Sequence, residues 1–244
     1  IQDGDKHLLV DGGGGNTLLR QLKQAGYNWQ DMREIFVTHK HVDHLMGIIW
    51  MVRMICQNMK QGQYQGEAWI YGHDEVISLL KDMAEKLYPT KQTQFIGDRL
   101  HLVVVNDGEE RTLIGHKVTF FDIQSTKAKQ YGFCMDMGNG EKLTCCGDEP
   151  YNECEEKYAK NSKWLLHEAF CLFDQADQFH PYEKHHSTAK DASELAAQLN
   201  VKNLILYHTE DKNILRRKEL YTAEGKKYFS GNIYVPEDLE TIEL

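Results

Sequence analysis

Thr38-His39-Lys40-His41-Val42-Asp43-His44 is the stretch whose reading decides the fold. It sets metal-capable side chains in the pattern His-x-His-x-Asp-His. Ile35-Phe36-Val37 ahead of it is β-branched and aromatic, which predicts a short buried strand. Behind it, Leu45, Ile48, Ile49, Val52 and Ile55 recur at the spacing of one helix face. They predict a helix running to Lys60, with Asp43 and His44 in its first turn. The motif therefore occupies a strand-to-helix turn. His39 and His41 fall on the same side of an extended segment, and Asp43 and His44 aim at a neighbouring point. Two adjacent nests of nitrogen and oxygen donors suit zinc, one ion or two, with manganese or iron as alternatives. A histidine-rich tag would not lie between a strand and an amphipathic helix.

The chain has 244 residues, with 28 basic and 37 acidic side chains and a formal net charge of −9. Such a surface offers nucleic acid no general attraction. There is no Pro- or Ser-rich linker, so residues 1–244 are expected to form a single domain. The six cysteines include no CxxC pair, and Cys145 and Cys146 are adjacent, a poor framework for disulfides. Without a signal peptide or a long apolar run, the expected setting is a reducing cytoplasm, with no membrane association. The first residue is Ile rather than Met, so the natural N-terminus is expected to lie upstream.

Further strands are predicted at His7–Val10, Ala68–Tyr71, Leu100–Val105, Lys117–Ile123, Lys142–Cys146, Trp164–Leu166 and Asn203–Tyr207. Closing strands are expected at Ile233–Val235 and Leu239–Leu244. Helices are predicted over Thr17–Ala25, Asp74–Leu87 and Thr188–Leu199. Thr188 and Asp191 of the last have the spacing of a capping box. Gly12–Gly15 matches no phosphate-binding spacing and reads as a tight turn. His73, His101 and His116 read as packing or surface residues. Met135 to Glu141 reads as a hairpin with an Asn139-Gly140 turn. Lys212, Arg216 and Arg217 either face a phosphate or form a solvated basic run.

With its metal-capable turn set in this order of elements, the chain resembles the metallo-β-lactamase superfamily. The resemblance covers Asp11 to His208 and implies an α/β fold, the αββα sandwich of two facing mixed sheets with outer helices. It implies that Asp11, followed by glycine at a strand end, buttresses a ligand histidine. It places the bridging carboxylate at Asp148 after Gly147, and the last metal ligand at His208. The metal ligands it implies are thus His39, His41, Asp43, His44, Asp148 and His208. Two downstream stretches, His167-Glu168-Ala169-Phe170 and His186-Ser187-Thr188, resemble the ribonuclease Z branch. That match makes His186 the proton donor to the leaving oxygen and Glu168 its orienting partner. Asp43 would hold or deprotonate the attacking water. The branch also has a first strand and a Gly-Thr-Gly loop, expected to precede Ile1.

Three departures matter. A third metal histidine normally lies between the strand ending near Ile123 and Tyr131, where this chain has Gln124, Ser125 and Thr126. The nest of His39 and His41 is therefore depleted, and Cys146 or a hydroxyl could be recruited. Phe170 stands where the branch has threonine. The long basic arm with which bacterial ribonuclease Z grips tRNA is replaced by the short hairpin, which carries Asp136 and Glu141. The expected activity is metal-dependent hydrolysis of a phosphodiester in a small or nucleotide-like molecule, with tRNA disfavoured. Alternatives are a ribonuclease Z-type RNA endonuclease, another ester or thioester hydrolase, or a metal-binding protein that has lost catalysis. The oligomeric state is open, a homodimer included.

Overall fold

The computed structural model describes residues 1–244. The chain divides into two compact units, Ile1–Gly115 with Thr126–Tyr131, and His116–Ser125 with Gly132–Leu244.

The first unit contains β1 (Gln2–Asp3), β2 (Lys6–Val10), α1 (Thr17–Gln24), β3 (Glu34–Phe36), α2 (Val42–Lys60), β4 (Ala68–Gly72), α3 (Asp74–Leu87), α4 (Thr90–Thr93), β5 (Leu100–Val104) and β6 (Glu110–Leu113). Its sheet runs in the order β1-β2-β3-β4-β5. Only the β1–β2 pair is antiparallel; the others are parallel and joined through helices. Parallel strands covered on both faces read as continuous apolar runs. β3 is such a strand, with Ile35 and Phe36 fully buried. Helix α2 supplies Leu45, Ile48, Ile49, Val52 and Ile55 to the core, as its periodicity predicts, and adds Met51, Cys56 and Met59. Each such side chain taken out of water contributes roughly 1.5–3 kcal/mol. The turn at residues 38–41 is thus anchored by a buried strand on one side and a buried helix on the other.

The second unit contains β7 (His116–Asp122), β8 (Tyr131–Gly138), β9 (Glu141–Cys145), α5 (Glu156–Ala159), β10 (Trp164–Glu168), α6 (Ala176–Phe179), α7 (Ala189–Gln198), β11 (Asn203–Tyr207), α8 (Arg217–Gly225) and β12 (Asn232–Tyr234). Its strands run in the order β12-β11-β10-β9-β8-β7. β8 and β9 form an antiparallel hairpin. Asn139 and Gly140 turn it at φ 55° and 76°, the two positive values that a two-residue hairpin turn needs. β9, β10, β11 and β12 are parallel. Helix α7 opens with the expected capping box between Thr188 and Asp191.

One expectation fails. Leu239–Leu244 is not a strand. Leu239 is left-handed at φ 66°, Glu237 N donates to the Glu240 side chain, and the acidic stretch Glu237-Asp238-Leu239-Glu240 suits a turn better than a ladder. A helix that the sequence did not announce, α8, follows Arg216; Lys212 and Arg216 ahead of it are exposed, and Arg217 is half-buried. The apolar signal of α8 is little more than Leu220 and Tyr221, of which Tyr221 is fully buried. All six cysteines are free. No helix is long and apolar enough to cross a membrane.

The second unit also buries a carboxyl group that no pattern announced. Glu155 is fully buried; its Oε1 accepts from Asn152 N at 2.9 Å. Burial pushes its pKa from 4.5 up to about 8. Between those values the folded protein holds a proton that the unfolded chain has released. Stability therefore falls as pH rises through that window and levels off above it. Glu155→Gln keeps the bond to Asn152 and removes the ionisation. Denaturant unfolding should show the variant gaining on the wild type by a few kcal/mol between about pH 5 and pH 8. A difference that does not move with pH would mean that Glu155 is already ionised in the fold.

Candidate functional site

In the first unit the three motif histidines gather their rings. The His39 and His41 centroids lie 4.5 Å apart, and those of His39 and His44 4.1 Å apart. His39 Nε2 and His41 Nδ1 approach to 2.8 Å. Asp43 Oδ2 is 3.5 Å from His44 Nε2, with its side chain 59% exposed. The lysine inside the motif turns away, and Lys40 Nζ pairs with Glu75 at 2.7 Å.

Asp11, at the end of β2, organises this cluster from behind. Its Oδ1 accepts from Thr38 N at 2.8 Å. Its Oδ2 accepts from Thr38 Oγ1 at 2.7 Å and from His44 Nδ1 at 2.7 Å. His44 is thereby protonated on Nδ1 and keeps the Nε2 lone pair for a ligand. The Thr38 hydroxyl has one hydrogen, committed to Asp11. Its oxygen, 2.9 Å from His39 Nδ1, can then only accept, so His39 also carries its proton on Nδ1. The structure places the Gln130 carboxamide nitrogen 3.2 Å from the same ring nitrogen; with Nδ1 protonated two donors would face each other there, so this tautomer goes with the carboxamide turned over, its oxygen toward the ring. One carboxylate sets the tautomer of two histidines, directly and through a threonine.

That arrangement requires the loop after β2 to lie on α2. Gly12 N donates to His44 O at 2.7 Å, and Gly47 N to Gly13 O at 2.9 Å. A Cβ on Gly47 would fall inside contact distance of the Gly12 carbonyl, and one on Gly12 would strike Ile48. Asp11 itself is left-handed, at φ 57°.

In the second unit, Asp148 Oδ2 lies 3.4 Å from His208 Nε2. Asp148 follows β9 and His208 follows β11. Between them Tyr207 donates its phenol hydrogen to the Gly147 carbonyl, so the two strand ends are tied together. Burial holds the Tyr207 phenol well above its ordinary range, so it stays a donor. His208 is left-handed, at φ 54°.

His186 completes this group. Single ligand atoms of Glu168, His186 and His208 all lie within 4.8 Å of one another. Glu168 is fully buried, and its nearer oxygen stands 3.6 Å from His186 Nδ1, beyond hydrogen-bond length. Its oxygens accept instead from Phe170 N at 3.1 Å and from Ser187 N. Glu168 thus joins the two loops through their backbones rather than by bonding to the imidazole. His185 is exposed, at a left-handed turn of φ 56°.

At the place of the missing third histidine, Gln124 is exposed and Ser125 Oγ donates to Glu149 at 2.7 Å. Cys146 is fully buried; burial and the charge of Glu155 hold its thiol far above the usual range, so it offers no thiolate. The basic residues past His208 have partners within the chain. Lys212 bonds Gln178, Arg216 pairs with Glu219, and Arg217 donates to Thr209 and the Pro236 carbonyl. The donors that remain, imidazole nitrogens with fixed tautomers beside carboxylates, fit a divalent metal of the borderline class.

A family model described as "Anti-Pycsar protein Apyc1" matches residues 1–229. The chain belongs to the Apyc1 family. It is also similar to ribonuclease Z of Archaeoglobus fulgidus, 25% identical over 282 residues, spanning all of this chain and 90% of that one. Ribonuclease Z of Bacillus thuringiensis is 32% identical over 277 residues, 94% of this chain and 87% of the other. Among solved structures, the metallo-β-lactamase fold protein YhfI from Bacillus subtilis superposes with a TM-score of 0.76 at 20% identity, covering 97% of this chain and 87% of that one. The expected fold class is therefore the observed one. This Apyc1-family chain is a metallo-β-lactamase superfamily hydrolase close to the ribonuclease Z branch.

Several working residues carry weak sequence signals. Thr38 stands directly before the first histidine and Tyr207 directly before His208, so adjacency was their signal. Gln130 had none. Asp11→Asn should weaken metal binding ~10–100-fold, as changes to such buttressing partners do. Titration calorimetry would read this; unchanged affinity would remove Asp11 from its role. Gly47→Ala should lower both stability and metal affinity, whereas Gly14→Ala, with open space at its Cβ, should change neither.

Proposed function

We propose that the chain is a metal-dependent phosphodiesterase acting on small or nucleotide-like diesters. The metal ligands in this reading are His39, His41, Asp43, His44, Asp148 and His208, and the native metal is zinc. The observation that carries the reading is the double tautomer control by Asp11, since leaving two adjacent imidazoles with Nε2 lone pairs is what metal ligation requires. The names of the ribonuclease Z relatives support phosphodiester chemistry.

A bound divalent metal supplies a nucleophilic water at neutral pH and counter-charge for phosphoryl oxygens. The chain's own residues do the rest. Asp43, exposed and beside His44, holds and orients the attacking water and accepts its proton. His186 gives a proton to the leaving alkoxide. Glu168 anchors the backbone of Ser187, directly after that histidine, and that of Phe170, whose ring stacks on it, which keeps the imidazole over the reacting bond. Substrate size follows from the hairpin. β8 and β9 are joined by the two-residue Asn139-Gly140 turn, so no arm extends there to grip a tRNA.

The test is turnover by the purified protein, with zinc or manganese, of bis(p-nitrophenyl) phosphate, a nucleoside cyclic monophosphate and a precursor tRNA. Both small diesters should be cleaved and the tRNA poorly. His186→Ala should lose ~10²–10⁴-fold on the alkyl diester, the usual worth of general acid catalysis. It should lose much less on the aryl ester, whose leaving group needs no proton, and His185→Ala should do little. Efficient tRNA processing, or equal losses on both esters, would overturn the assignment. Elemental analysis should find one ion held more tightly than a second, with Asp43→Ala more damaging than His41→Ala because the His39 and His41 pair lacks its third histidine. Two equally tight ions would contradict this.

A further inference from the structure

The ring of His186 is held without a hydrogen bond. Its Nδ1 is buried and has no hydrogen-bond partner; Glu168 stands 3.6 Å away with its oxygens engaged elsewhere. Rotation about the last side-chain torsion of histidine is soft, so something else must set the ring plane. On one side the Phe170 ring is stacked at 4.9 Å and 19°. His208 is stacked with His186 at 5.2 Å and 28°.

Phe170 is itself immobilised. Its N–H is shared between Glu168 Oε2 at 3.1 Å and the Ser187 carbonyl at 2.9 Å. Its carbonyl accepts from Glu210 N at 2.8 Å and from Tyr221 Oη at 3.2 Å. The Phe179 ring meets it edge-on at 6.4 Å and 86°, and Lys184 Nζ lies 5.2 Å from its centroid. A half-buried aromatic ring with this many constraints is a fixed wall for whatever stacks on it.

We infer that Phe170 is the positioning residue of His186, fixing the plane of the imidazole so that its free nitrogen stays aimed at the leaving oxygen. The inference rests on reading His186 as the proton donor. A Phe170 that merely filled space would be replaceable by any apolar side chain of similar bulk. One that sets a ring plane is replaceable only by another planar ring.

The experiment compares Phe170→Leu and Phe170→Tyr at one pH, with Phe170→Met standing in if the leucine variant does not fold. The carbon-bound imidazole protons of His186, assigned by their loss in His186→Ala, should show an upfield ring-current shift in the wild type. The shift should persist in the tyrosine variant and shrink in the leucine variant to the part that the stacked His208 ring supplies. In parallel, kcat on an alkyl diester should fall about tenfold in Phe170→Leu, a fraction of the whole general-acid contribution. KM and metal content should be unchanged, the p-nitrophenyl ester little affected, and Phe170→Tyr should restore the rate. A His186 signal that stays at its wild-type position in the leucine variant, a loss carried by KM, or equal loss on both esters would overturn the inference. If the shift behaves as expected while His186→Ala retains full activity, the proton-donor reading has failed and the role proposed for Phe170 fails with it. If His186→Ala loses activity and Phe170→Leu does not, only the positioning role has failed.

Discussion

The carbonyl of Gly12 occupies the space where a Cβ on residue 47 would stand. Much of the first unit's chemistry depends on that contact. Because neither Gly12 nor Gly47 has a side chain, the loop after β2 can lie directly on helix α2, stitched by two backbone hydrogen bonds. That brings Asp11 to three donors at once: Thr38 N, Thr38 Oγ1 and His44 Nδ1. A left-handed, non-glycine backbone costs roughly 1–2 kcal/mol. Hydrogen bonds to a charged group contribute about 1.5–3 kcal/mol each, so three of them outweigh the strain. Lifting the loop by one methyl group would lose the bonds and keep the strain.

The same device recurs in the second unit. Candidate residues sit just past the carboxyl ends of parallel strands: Asp11 after β2, the histidine motif after β3, Asp148 after β9 and His208 after β11. Such ends are where the chain leaves the sheet, and so where side chains from different strands can converge. Asp11 and His208 are both left-handed, at φ 57° and 54°. At each the chain turns sharply as it leaves its strand. Tyr207 does for the second unit what Thr38 does for the first. It is the residue immediately before a candidate ligand, and it fixes a neighbouring loop by donating a hydrogen.

What was legible in the sequence was local. The strand-turn-helix around His39, the Asn139-Gly140 hairpin and the Thr188–Asp191 cap each follow from residues within a few positions of one another. What was hidden was either distant or weakly patterned. Gln130 reaches His39 across 91 positions, and no periodicity encodes that. Helix α8 has too few apolar residues to announce itself, and β6, Glu110-Arg-Thr-Leu113, is too polar. The orienting role expected of Glu168 rested on its partner being the imidazole. The distance of 3.6 Å and the two backbone donors show a carboxyl group that joins loops.

That shift of role is compatible with a phenylalanine at position 170, where the resemblance to the ribonuclease Z branch led to the expectation of threonine. A hydroxyl orients an imidazole by a directed bond to one nitrogen. A phenyl ring has no directed bond to offer, but stacking is strongly selective for tilt while indifferent to rotation within the plane. The remaining in-plane freedom is limited by charge. The Glu168 carboxyl lies 3.6 Å from Nδ1, on one edge of the ring, and attraction to it favours keeping that edge inward. Plane from Phe170 and edge from Glu168 together specify the direction in which the opposite nitrogen points. The polar bond is not required, provided that the ring supplying the plane cannot itself move, and the hydrogen bonds on the Phe170 backbone meet that condition.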